Sequence, residues 1–173
     1  MNKKIDRDTI KEKDRDIIKE KIEKSLKQLD IHFSQLHYVD DIDDSLDYKV
    51  ELPATGISKV LKTIPCIFFV NLGNKTANLI ALNIYRIEEE DSLNNILSIV
   101  NEANARGRNG TWVVFNVKNG ENIERQIGYR STVFCGSDFS NLNEESIKAQ
   151  YDFFIANLNY LIEILFIERK RNN

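Results

Sequence analysis

Two cysteines, two histidines and a cluster of aspartates are the side chains in this sequence best suited to chemistry. A nucleophilic cysteine needs a base within hydrogen-bond reach and donors for the charge that develops. Cys66 follows Pro65 and opens a continuously apolar run, CIFFV, which favours a buried structural thiol. Cys135, before Gly136, is expected to be the more exposed of the two. The bases on offer, His32 and His37, both lie in the first third of the chain, and nothing local brings either to a cysteine. Five residues apart, the histidines share no face of a helix or a strand, and the cysteines stand in no metal-ligand spacing.

Asp40, Asp41, Asp43, Asp44 and Asp47 invite comparison with a calcium loop. A loop counted from Asp40 would need an oxygen ligand at its third position and a glycine at its sixth, where this chain has Ile42 and Ser45. The expected reading is a solvated acidic loop, with an ion held by two of these side chains left open. Gly73-Asn74-Lys75-Thr76 has the lysine and threonine of a phosphate loop without its glycine spacing or its helix. The residues therefore point to a protein that is not an enzyme, with no cofactor and no metal.

The 173 residues, 42% hydrophobic and 29% charged, suffice for one domain with a real core, and 1–173 is read as a single domain. The net charge of −3 gives no electrostatic footprint for nucleic acid. No run approaches the ~20 apolar residues of a membrane span. The start, MNKKIDRD, has no apolar run behind it, so the expected location is the cytoplasm, with both thiols reduced.

These residues must be positioned by the elements around them. Residues 1–29 carry a narrow stripe of Ile10, Ile17, Ile18, Ile22, Leu26 and Leu29, which predicts an amphipathic helix with its first eight or so residues frayed. Ten Lys and Arg against seven Asp and Glu leave this segment at +3, but the interleaved signs read as a solvated face rather than a basic arm. YKVEL (48–52), CIFFV (66–70) and NLIALNIYRI (78–87) read as strands, and 56–64 as a short helix or none.

The stretch from Asp91 to Phe139 carries the clearest local signals. Ser92 is a candidate N-cap, and Leu93, Ile96, Leu97, Val100 and Ala103 share a helical face that Gly107 ends. TWVVFNV (111–117) reads as a strand, Asn119-Gly120 as a type I′ hairpin turn, and 123–134 as the return strand. Asn141, with Glu144 three residues on, is expected to cap a last helix that carries a wide apolar face to Phe166. The predicted fold class is α+β: an antiparallel sheet of about five strands in the order α-β-β-β-α-β-β-α, with helices mainly on one face.

Three features of this pattern carry a resemblance. One is an apolar helix ending in Asn101-x-x-Asn104; the next is the hairpin TWVVFNVKNGENIERQIGYRSTV; the last is Phe134, Gly136, Asp138, Phe139 and Ser140 leading into the final helix. Over Ser92–Phe166 the chain resembles the YbjN-like bacterial domain, a family described as sensory transduction regulators, with a fold similar to type III secretion chaperones. The acidic 40–47 segment and the charged N-terminus have no counterpart in that pattern. The resemblance implies a partner-binding or regulatory module and brings no catalytic residues.

The sheet itself makes a further suggestion. A sheet with helices on one face and water on the other should alternate apolar with polar residues. CIFFV and TWVVF do not alternate, so a second apolar face is expected to be a homodimer interface or a groove for a protein partner. Phe68, Val70, Trp112 and Val114 are the candidate partner-binding residues. The alternative is a small-molecule-sensing domain, with its pocket between the sheet and the final helix.

Overall fold

The structure is a computed structural model that describes residues 12–36, 45–54, 63–88, 91–107 and 109–171. The elements run α1 (Glu12–Gln28), β1 (His32–Leu36), β2 (Ser45–Pro53), β3 (Thr63–Asn71), β4 (Thr76–Ile87), α2 (Leu93–Arg106), β5 (Thr111–Asn119), β6 (Asn122–Phe134) and α3 (Glu144–Arg171). The α+β class holds, with six strands rather than five. The added strand is β1, which pairs with β2 from His32↔Glu51 to Leu36↔Asp47. The expected fraying of the first residues, the short helix at 56–64 except for Thr63 and Ile64, and the aspartates at 40–44 lie outside the described residues.

Every neighbouring pair in the sheet is antiparallel, in the order β1-β2-β3-β4-β6-β5. The sheet needs no long parallel crossover: α2 carries the chain past the β6 position, β5 forms the far edge, and β6 returns between β5 and β4. The β5–β6 loop is Gly120-Glu121, one residue later than the Asn119-Gly120 turn read from the sequence, because Asn119 still pairs with Asn122. Gly120 takes φ +63°, a left-handed value that glycine adopts without a Cβ clash.

Side chains alternate across each strand, so burial decides which face meets the helices. Tyr48 and Val50 of β2, Phe68 and Val70 of β3, Leu79 and Ala81 of β4, and Ile127 and Tyr129 of β6 are all buried. Against them lie Ile22 and Leu26 of α1, Ile96 and Val100 of α2, and Phe154, Leu158 and Leu161 of α3, in one hydrophobic core. Trp112, Tyr129 and Phe154 form an aromatic cluster at its centre, with Trp112–Tyr129 and Tyr129–Phe154 ring centroids 4.9 and 5.0 Å apart. Asn157 of α3 donates to the Tyr129 hydroxyl at 3.1 Å, so the polar end of that ring is satisfied inside the core.

The helix ends correct two sequence expectations. Ser92 precedes α2 without a side-chain cap bond. The Asp91 carboxylate instead accepts from the Tyr85 hydroxyl and the Glu88 backbone N–H. At α3 the capping residue is Asn143, not Asn141: its Oδ1 accepts from the Ser146 N–H at 2.9 Å.

Candidate functional site

Where the sheet places the four candidate partner residues is plain from register. Opposite residues of antiparallel strands share a face, and successive residues alternate. Phe68 and Val70 lie on the helix-covered face, 2% and 0% exposed, and Trp112 lies there at 2%. Val114 is half-buried and packs on the same core. Within the chain these side chains pack in the interior. The residues one along each strand, Ile67, Phe69, Val113 and Phe115, lie on the opposite face of the sheet.

That second face runs across all six strands. One row of it reads Ser34, Lys49, Ile67, Ile80, Arg130 and Thr111, each paired with the next across the sheet. The next row includes Asp47, Phe69, Asn78 and Thr132. Ile67, Phe69 and Ile80 form a partly exposed apolar centre, and Leu82, Val113 and Phe134 are exposed. Asp47, Lys49 and Glu51 stand on the β2 side of this centre and Arg130 on the β6 side. The sequence had two apolar faces for CIFFV; the structure assigns its even residues to the core and its odd residues to the open side.

A notch interrupts the sheet between β3 and β4. Their pairing stops at Cys66↔Ala81, although β2 and β3 stay paired to Pro53↔Thr63. Pro65 has no N–H to give to a ladder. Opposite it, β4 bulges: Ala81 pairs with Tyr129 and Tyr85 with Ile127, so Leu82, Asn83 and Ile84 face only Gly128. Asn83 takes φ +57° within this bulge. Gly128 is required there, since a Cβ would stand 2.9 Å from the Ala81 carbonyl oxygen and 2.7 Å from the Phe115 ring.

The strands part, and a cavity of about 730 Å³ opens between them. Leu158 and Ile162 of α3 wall it on the helix side, and Pro65, Ile67, Ile80 and Leu82 on the open side. Lys49 is the one charged side chain among the described residues that line it. The alternative reading of the sequence set a pocket between the sheet and the final helix, but not the strand break that opens this one. Its signals were a proline inside a strand and an asparagine in the middle of an apolar one.

The groups considered for chemistry are dispersed. Cys66 and Cys135 are free and buried, so Cys135 is not the exposed thiol the sequence suggested. Desolvation pushes the Cys66 thiol up to about 12, and it also raises that of Cys135. Such thiols are poor nucleophiles. His32 is exposed on the edge strand β1, and His37 lies outside the described residues. Among the described residues no group of three or more His, Cys, Asp or Glu is arranged to hold a metal ion, and no helix is long and apolar enough to cross a membrane. Asn101 is exposed at the end of α2, whereas Asn104 bonds the backbone of Trp112.

No family model matches the chain, and no curated protein matches it in sequence. Among solved structures it is similar to YbjN of E. coli, described as a candidate transcription regulator. The two are 10% identical, the match covers 81% of this chain and 87% of that one, and the TM-score is 0.48.

Proposed function

We propose that this chain is a non-enzymatic protein-binding or regulatory module of adaptor or chaperone-like type. Its working surface is the open face of the sheet, and its first occupant is a second copy of the chain. One observation carries this reading: no described helix covers that face, and its centre is apolar. Six strands about 4.8 Å apart and about nine residues long at 3.3 Å per residue span roughly 800 Å². That is the area each partner contributes to a standard protein interface, about 800 Å². The charges support self-pairing. Asp47 and Glu51 outnumber Lys49 on the β2 side, and Arg130 stands on the β6 side. A two-fold axis parallel to the strands sets one side against the other.

The reading takes the partner to be protein, with neither nucleic acid nor membrane involved, and places the chain in the cytoplasm, in keeping with its two free cysteines. Light scattering on the wild type and on Phe69→Asp tests it. An assembly that dissociates on substitution, with the circular dichroism unchanged, supports the reading. An assembly indifferent to Phe69→Asp argues against the face.

A second reading rests on the notch. A cavity of about 730 Å³, walled by β3, β4 and α3, has the size and apolar lining of a small-molecule site. It suits a sensing domain in which a ligand sits between the sheet and the final helix. Thermal shift across a broad metabolite panel tests that reading: a ligand-dependent rise supports it, and none argues it down.

A further inference from the structure

The notch has a chemical asymmetry that narrows what it can hold. It cuts through the sheet rather than lying on it: Ile64 and Cys66 line it from the core side of β3, and Pro65 and Ile67 from the open side of the same strand. An occupant therefore lies edgewise between two separated strands, which suits a narrow flexible chain better than a broad ring system. Among the described residues the interior offers few polar partners, and one of them, the Cys66 thiol, is only a weak donor. A polar body would lose its water there without replacement hydrogen bonds.

Among the described residues that line the notch, only the open mouth carries a charge. Lys49 stands there, on the strand next to β3 and directly opposite Ile67. Lys49 is exposed, and among the described residues no ion pair holds it, although Asp47 and Glu51 flank it along the strand. Among the described residues the slot is apolar with Lys49 as its one cation, a lining that complements a molecule with an aliphatic body and a single anionic head.

We propose that the notch binds a fatty acid, its chain seated between β3 and β4 and its carboxylate at Lys49. This deepens the small-molecule reading and depends on it. The mouth of the notch shares Lys49, Ile67 and Ile80 with the open face, whereas its inner wall is α3.

The test uses the full chain and cis-parinaric acid, a fluorescent fatty acid, displaced in turn by palmitate and by 1-hexadecanol. The two competitors share a chain and differ in the charge of the head. A charge-assisted contact at Lys49 makes palmitate the better competitor by about tenfold. Lys49→Glu, at an exposed position, removes that preference while hexadecanol still competes. Leu82→Trp fills the slot and abolishes the parinaric signal, with circular dichroism confirming the fold. If the probe does not bind the wild type, the cavity reading and this proposal both fall. If palmitate and hexadecanol compete equally and Lys49→Glu changes nothing, the cavity holds apolar molecules and the fatty-acid assignment alone is overturned.

Discussion

Asn104 hydrogen-bonds both backbone polar groups of Trp112: its Oδ1 accepts from the Trp112 N–H at 2.7 Å and its Nδ2 donates to the Trp112 carbonyl at 3.0 Å. Trp112 lies on β5, an edge strand of the sheet, where outward-facing backbone groups have no neighbouring strand. One side-chain amide from α2 takes the place of that strand. It also ties the helix to the residue whose indole packs on Tyr129 and Phe154.

Replacing Asn104 with Leu leaves a donor and an acceptor of a buried residue's backbone without partners. The expected cost is about 2 kcal/mol, at the level of an unsatisfied buried pair. Asn104→Asp keeps the acceptor and loses the donor, so it should fall between the two. Urea denaturation of the three proteins, followed by Trp112 fluorescence, checks the order.

The bulge in β4 makes a backbone prediction. Asn83 sits at φ +57°, where Asn and Gly are tolerated and a β-branched residue is strained. Asn83→Val should cost about 1–2 kcal/mol, while Asn83→Gly should stay within about 0.5 kcal/mol of the wild type. Equal stability of the two variants would mean that the bulge is not fixed at this residue.

Alkaline pH should weaken the fold. The folded Cys66 thiol titrates near about 12, against an ordinary 9.0, so the unfolded chain loses this proton first. Its contribution is complete below about pH 9 and is lost as the pH rises toward 12. Burial raises Tyr48 and Tyr129 in the same direction. Denaturation midpoints measured from pH 8 to 11 should fall, and Cys66→Val should make the fall shallower. A midpoint flat across that range would contradict the burial of these groups.

Much of this architecture is written locally. The face of Ile96, Val100 and Ala103 marks α2, and the β-rich run Thr111–Val117 before Asn119-Gly120 marks the hairpin, because helical periodicity and turn chemistry are properties of neighbouring residues. The five residues of β1 are short and mixed in polarity, and they become a strand by pairing with β2, a partner the local pattern does not name. The two faces of CIFFV are equally apolar in sequence, so only packing against α1 and α3 decides that Phe68 goes inward and Phe69 outward. The notch depends on the meeting of Pro65, Asn83 and Gly128 across three strands, which no single stretch records. The α3 cap fell two residues from its expected place because Asn141 and Asn143 carry the same side chain, and only the helix start distinguishes them.

The most direct test of the open face as a binding surface is the molar mass of the full chain by light scattering behind a sizing column, at two loading concentrations, alongside Phe69→Asp. The account predicts twice the 20.1 kDa chain mass for the wild type at the higher load and the single chain mass for the variant. A wild type that stays at 20.1 kDa at both loads, or a dimer that Phe69→Asp leaves intact, would contradict it.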